Sequence, residues 1–302
     1  MNYSNILIVA DLEGIVGLDK HFSILNARRM MIRELQCIVK IIKNYNSSCL
    51  INICNVHNDG NLLDTGFFTN RVNYIDGILK LLQGEWYYDC ALLVGFHAMT
   101  GNGGLFDHTF RSDFVKMHFE GCIEPIGEVA TLITWLESKG IPVILVSAEG
   151  NVDCELINRN IILHKVDNSK NSEIQLDTLC RNIESALSVY AQNVVVKDNR
   201  AICIQLDNSD KLKYLQEKGY AIKNGEAIFP NIDNFFLNLY SFAHLLNQAT
   251  VEIIQNNMKF ADIIKHSGLR REDLADIDLI LKKPIDQISS KDRYIIRRSI
   301  RL

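Results

Sequence analysis

The sequence predicts an α/β protein: a mostly parallel sheet covered by helices on both faces, with a side β-hairpin and a C-terminal helical extension. Three observations lead there. Short apolar runs alternate with helical patterns along most of the chain, as βαβ units require. Runs such as ALLVGF (91–96) and PVILVSA (142–148) are apolar on both faces, which suits central strands of a parallel sheet. One segment, FVKMHFEG (114–121), instead alternates with a period of two and reads as an antiparallel, half-exposed strand.

Taken in order, strands are expected at 5–10, 49–56, 90–96, 142–147, 194–197 and 202–206. Helices are expected at 23–44, 73–83, 126–139, 151–159, 174–191, 209–218 and 232–256. In the period-two segment, Phe114, Lys116, His118 and Glu120 fall on one face and Val115, Met117 and Phe119 on the other. With CIEPIG (122–127) after it, the segment predicts a hairpin beside the main sheet, whose apolar face would shape a subunit interface or the site's rim. The polar stretch VDNSKNSEI (166–174) reads as a loop. Two domains follow: 1–256 as the catalytic α/β unit, and 257–302 as a helical extension. In the extension, Gly268 offers a helix stop, REDLADIDLILKK carries acids first and lysines last, and RYIIRRSIRL is basic.

Composition narrows the function. A chain of 302 residues, 47% hydrophobic and 23% charged, is long enough for a sizeable core. The net charge of −4 gives no reason to expect nucleic acid or an anionic membrane as a partner. The N-terminus enters a strand pattern with no secretory leader, and no apolar run reaches bilayer length, so a cytoplasmic protein is expected. The eight cysteines form no C-x-x-C pair and sit mostly in apolar runs, as buried thiols in a reducing compartment do.

The chemistry gathers at strand ends. In LIVADLEGIVG (7–17), a buried strand runs out into Asp11 and Glu13, two residues apart and directed to one side if the chain stays extended. Open α/β sheets bind ligands at the carboxyl ends of their strands. The second strand ends near His57 (ICNVHNDG) and the third near His97 (LLVGFHAMTGNGG). Glu128 stands in the first turn of the helix opened by PIGEVATL, where a helix dipole also favours an acid. Each residue alone has an ordinary structural explanation, whether helix cap, core histidine or surface acid. Together they are three carboxylates and two imidazoles, a set whose repulsion two zinc ions per chain would offset, with manganese or cobalt as substitutes. Two such ions need one carboxylate to bridge. His108, in the glycine-rich GNGGLFDHTF, reads either as a surface histidine or as a general acid/base or nucleophile reaching over the metals on a flexible arm.

These pieces, in this order and spacing, resemble the zinc D-aminopeptidase family encoded with bacterial dipeptide transporters. That family's pattern runs D-M-E-G-I, N-D-S-H, G-Y-H-A, a histidine eleven residues further on, and V-G-E opening a helix. The resemblance covers about residues 5–250. It implies that Asp11 bridges two zinc ions, with Glu13 and His57 completing one site and His97 and Glu128 the other, and that His108 is catalytic. It further implies hydrolysis of an amide beside a free amino terminus of a small peptide, with preference for D-residues, in ring-like homo-oligomers, decamers, whose sites face an internal channel. The sequence departs from the pattern at Cys54-Asn55-Val56-His57, at Val129-Ala130-Thr131-Leu132 after Glu128, and at Ala148-Glu149-Gly150 after the fourth strand. Two alternatives follow: the same metal chemistry on a different amide in a specialised peptide or natural-product pathway, or a metal-stabilised assembly protein without turnover. A phosphatase of the haloacid dehalogenase type is a more distant one, since Gly14-Ile15 follows D-x-E here where that family carries threonine or serine.

Overall fold

The computed structural model describes residues 3–18, 24–57, 72–84, 87–106, 108–156, 159–188 and 198–257, with Leu279, Ile280, Lys283 and Gln287. In chain order the first half comprises β1 (Asn5–Ala10), α1 (Ile24–Tyr45), β2 (Leu50–Asn55), β3 (Val72–Asp76), α2 (Gly77–Gln83), β4 (Cys90–His97), β5 (Phe114–Phe119) and α3 (Glu128–Ser138). The second half comprises β6 (Val143–Glu149), a 3-10 turn (Val152–Leu156), β7 (Ile162–Val166), α4 (Ser172–Ser188), β8 (Ile202–Leu206), α5 (Ser209–Glu217), β9 (Ala221–Lys223), β10 (Glu226–Phe229) and α6 (Ile232–Asn257). The expected strand at 194–197 and nearly all of the 257–302 extension lie outside the described residues.

Six strands form one sheet in the order β3-β2-β1-β4-β6-β7, and every neighbouring pair is parallel. Alternate residues of the central strands feed two cores. Ile6, Ile8, Ile53 and Leu92 pack with Leu35, Ile38, Leu179 and Ile183 of α1 and α4. Leu7, Val9, Leu93 and Val146 pack with Leu132 and Leu136 of α3 and Phe235 and Phe236 of α6. Burying each such side chain contributes about 1.5–3 kcal/mol, so burial on both faces outweighs local propensity in choosing these strands.

The expectation fails in several places. Residues 73–83 are not one helix: Val72–Asp76 pairs with β2 as the sheet's edge strand, and the helix starts only at Gly77, whose φ of 77° marks the turn between them. Where a helix is expected at 151–159, Val152–Leu156 is a 3-10 turn, and the unexpected strand β7 comes after it, disguised by His164 and Lys165. CIEPIG forms no strand, so there is no local hairpin. Instead β5 pairs antiparallel with β8 in a second sheet ordered β5-β8-β10-β9.

A bulge between Phe114 and Lys116 resets the faces of β5. Phe114 turns in, fully buried, while Val115 turns out, 47% exposed. Met117 and Phe119 belong to the core under α6 and are not a free apolar surface. Phe119→Asp is therefore expected to unfold the protein, and Val115→Asp to leave its melting temperature within about 1 kcal/mol equivalent of wild type. Thermal melts of the two variants check this.

Candidate active site

Asp11 and Glu13 do not lie on an extended chain. Past Ala10 the backbone folds into a tight turn laid on the end of β4. The Asp11 amide donates to the Val94 carbonyl (2.8 Å) and the Gly14 amide to the Gly95 carbonyl (2.7 Å). The turn needs both glycines. A Cβ on Gly14 would stand 1.5 Å from the Phe96 carbonyl oxygen, and one on Gly95, whose φ is +75°, would stand 2.2 Å from the Asp11 carbonyl oxygen. Close backbone contact thus brings Asp11 and Glu13 to His97. Gly14→Ala is expected to cost about 3 kcal/mol, the upper end of ordinary overpacking, and to lower metal content by displacing the carboxylates. A variant with wild-type melting temperature and metal content would refute that account of the turn.

The other groups arrive from separate elements. His57 follows β2, His97 ends β4, and Glu128 is the first residue of α3. His57 Nδ1 lies 3.0 Å from Asp11 Oδ1. His97 Nε2 lies 3.2 Å from Glu13 Oε2 and 3.5 Å from Glu128 Oε1, while its Nδ1 faces the Ala98 carbonyl at 3.0 Å. A carbonyl on Nδ1 makes that nitrogen the donor and turns a lone pair of Nε2 toward the acids, the arrangement of a metal-binding imidazole. Ligand atoms of Asp11, Glu13 and His57 lie within 4.8 Å of one another, and so do those of Asp11, His97 and Glu128. Asp11 belongs to both sets. Asp11 Oδ2 and His97 Nε2 are buried without a hydrogen-bond partner among the described residues, and such atoms fit a cation between them.

His108 is not on a free arm. The Phe110 amide donates to Glu128 Oε1 (2.6 Å), and Thr109 Oγ1 accepts from the Thr100 amide (3.2 Å). Phe110 takes a φ of +57° and sets its ring against Phe235 and Phe236 at 5.2 and 6.1 Å. The arm is thereby fastened on both sides of the cluster. His108 Nε2 comes 3.3 Å from Glu13 Oε2, and its ring lies 4.5 Å from that of His97. Glu13, His97 and His108 make a third set within 4.8 Å, so geometry alone leaves His108 able to ligate.

A family model described as D-aminopeptidase matches residues 5–167, which include all six of these residues. The chain belongs to the D-aminopeptidase family. It is a metal-dependent hydrolase of the peptidase class. The fold agrees with a solved member, the zinc-dependent D-aminopeptidase DppA from Bacillus subtilis, described as a self-compartmentalizing protease. The two share 18% sequence identity at a TM-score of 0.69, over 80% of this chain and 97% of that one. No curated protein matches the sequence.

The electrostatics of the D-aminopeptidase site suit a cation. Burial pushes the Glu13 carboxyl up, but the close approach of His97 and the charges of His57, His108 and His97 bring it down to about 2. Burial pushes His97 down, and Glu128 and Glu13 reverse this and hold it well above the usual histidine range. The acids thus demand positive charge at His97 Nε2, which a divalent ion would supply in place of a proton.

Two further acids, missed in the sequence, hold the scaffold. Glu155, on the 3-10 turn, is 6% exposed and accepts from the Met99 (3.3 Å) and Ala130 (3.1 Å) amides. Gly127 caps α3 without a side chain, and the Glu155 carboxylate serves in its place, tying the loop after His97 to the helix that carries Glu128. Glu34, on α1, is buried and accepts from the Val16 amide (2.8 Å), bracing the turn that carries Asp11 and Glu13. Neither stands in a motif; Glu34 lies in an amphipathic helix and Glu155 in DCELI, where nothing marks an acid as buried.

Burial raises the Glu34 carboxyl to about 7 against the hydrogen bond from Val16 and the nearby Ser147 hydroxyl. The folded state then keeps its proton at a pH where the unfolded chain has lost it, so stability falls as pH rises from about 4.5 to about 7. Glu34→Gln keeps an acceptor and removes the titration. Its stability relative to wild type is expected to rise by about 3 kcal/mol across that interval and then level off. Urea unfolding at pH 5 and pH 8 checks the sign.

Proposed function

We propose that this protein is a cytoplasmic dinuclear zinc aminopeptidase that cleaves the amide next to a free N-terminal residue, a D-residue, of a small peptide. The observation that carries the reading is that Asp11 is shared by two donor sets, one completed by Glu13 and His57 and the other by His97 and Glu128. Five oxygen and nitrogen ligands with a common carboxylate suit paired zinc ions better than magnesium. Such a pair, when bound, supplies Lewis acidity toward an amide carbonyl and makes a nearby water more acidic.

This chain's residues do the rest. Glu128 orients His97 and holds the Phe110 amide, so the metal ligand and the His108 arm share one anchor. His108, beside Glu13 and partly open to solvent, takes the proton-transfer role at the scissile amide. A cleft of about 790 Å³ opens past the carboxyl ends of β6 and β7, lined by Leu18, Leu105, Glu149, Lys165 and Asn168 among others. Its volume suits a small peptide. Glu149, the register partner of His97, lines the cleft and accepts from the Leu105 amide (2.8 Å).

Assembly into a ring-like homo-oligomer, a decamer, belongs to the same reading, because DppA is described as self-compartmentalizing. Exposed apolar residues such as Ile123 and Leu237 are available for subunit contacts. Among the described residues no helix is long and apolar enough to cross a membrane.

A second reading keeps the metal chemistry and changes the amide. It rests on α3, where Val129-Ala130-Thr131-Leu132 stands in place of the family's G-x-N-A and is buried, with Thr131 Oγ1 turned back to donate to the Gly127 carbonyl (2.6 Å). Metal analysis of the purified protein with a panel of D- and L-aminoacyl amides and dipeptides tests both. Two zinc ions at this cluster and preference for D-residues are expected. Turnover confined to other amides selects the second reading, and a single ion at the cluster overturns the dinuclear centre.

A further inference from the structure

A second cluster of ligand types lies in the antiparallel sheet, on elements separate from the candidate active site. His118 on β5 stands directly opposite Cys203 on β8, and Glu226 comes from the adjoining strand β10. Ligand atoms of the three lie within 4.8 Å of one another. We propose that His118, Cys203 and Glu226 form a mononuclear zinc site that ties β5, β8 and β10 together across the outer face of this sheet.

Register puts the three on one face. Directly opposed residues of an antiparallel pair share a face. Met117 and Phe119 point the other way, into the core with Ile202, Ile204 and Phe229. That leaves His118, Cys203 and Glu226 outward. Cys203 nonetheless is only 3% exposed, with a free thiol and, among the described residues, no hydrogen bond. Its neighbours on the same surface are acids: Glu226 itself, and Glu120, paired with Lys223 at 3.0 Å.

The orientation of His118 is the second observation. Its Nδ1 lies 3.1 Å from the Phe119 carbonyl, which fixes a proton on that nitrogen. Its Nε2 then meets Glu226 Oε1 at 2.9 Å. In neutral imidazole these are two acceptors facing each other, so the contact needs a cation: a second proton on the ring or a metal between the groups. A backbone carbonyl on one nitrogen and a carboxylate and thiol before the other is the environment of a zinc-bound histidine. Burial together with Glu226 and Glu120 raises the thiol's pKa, a cost that a divalent ion removes by binding the thiolate.

The donor set names the metal. Sulfur with imidazole and one carboxylate favours zinc and disfavours magnesium and calcium. Three strands supply three ligands on a rigid frame, and the partly exposed His118 and Glu226 side chains leave a fourth position to water. The candidate active site offers only oxygen and nitrogen ligands, so sulfur ligation distinguishes the two.

The test uses the full chain stripped by chelator and reloaded with Co2+. A thiolate-to-cobalt absorption band in the near ultraviolet is expected, saturating at one ion per chain. Asp11→Asn should keep the band; Cys203→Ser should abolish it. His118→Asn, at a partly exposed position that tolerates polar change, should weaken binding by about 100-fold or more, since even outer partners of a metal ligand are worth about 10–100-fold. Zinc should raise the melting temperature of the Asp11→Asn protein and not that of Asp11→Asn with His118→Asn. No band, or a band that survives Cys203→Ser, overturns the proposal and leaves the cluster as an ion pair of protonated His118 with Glu226 beside a reduced thiol.

Discussion

Asp11→Ala is expected to empty the candidate active site of metal and to lower turnover by about 1,000-fold or more, since a metal contributes several kcal/mol of charge stabilisation in a transition state. Asp11 is the residue common to the two three-residue donor sets, it is only 4% exposed, and its Oδ2 is buried without a hydrogen-bond partner among the described residues. Its removal subtracts a ligand from both sets at once. Glu13→Ala or His97→Ala subtracts a ligand from one of them and is expected to weaken mainly that site. Misfolding has to be separated from metal loss, and the crowding of acids provides the means. Asp11, Glu13 and Glu128 repel one another in a buried space, so deleting one of them should not destabilise the chelated protein. The expected signature is therefore a chelated melting temperature at or above that of chelated wild type, with no rise on adding zinc once His118→Asn also removes the second cluster. Elemental analysis finding full occupancy in Asp11→Ala would overturn the bridging role proposed for Asp11.

The parts of the fold that were legible in the sequence are those where one period dominates. The continuous apolar runs of β1, β4 and β6 leave only a buried parallel sheet as their setting, and the alternation of β5 leaves only an antiparallel one. The partner of β5 was not legible, because pairing with β8 is a long-range choice, and the bulge at Phe114–Lys116 inverts the faces that a strict period of two assigns. Edge strand β3 was hidden because it runs directly into α2, and Gly77 is too weak a signal to split them. At the candidate site, Asp11, Glu13, His57, His97 and Glu128 could be picked out because strand ends and a helix start are local features. That they meet is a consequence of the β1-β4 pairing and of two glycines, Gly14 and Gly95, whose backbones touch across it. Glu34 and Glu155 carry no such mark, since the burial of an acid is decided by what packs over it.

His108→Ala is expected to keep both metals and to lose about 100-fold or more in turnover, the ordinary contribution of a general acid or base. The competing role is that of a ligand, which the contact with Glu13 at 3.3 Å permits. Three observations favour the proton-transfer role. The five other residues already provide two donor sets without it. His108 has a side chain 22% exposed, against 1% for His97, so it borders the space a substrate enters. Its arm is fixed by Phe110, seated on Phe235 and Phe236 and bonded to Glu128, which positions a group precisely enough for transfer without any metal to hold it. The two roles separate cleanly in one variant. As a proton-transfer residue, His108→Ala retains both ions of the active-site cluster, leaves KM for a D-aminoacyl amide within a few-fold, lowers kcat, and removes one limb of the pH–rate profile. As a ligand, it loses an ion and the lost activity returns at higher zinc concentration. Phe110→Ala extends the argument to the arm: with the anchor gone and His108 intact, kcat should fall while metal content stays. Wild-type kcat in Phe110→Ala would mean that the arm's position is set elsewhere.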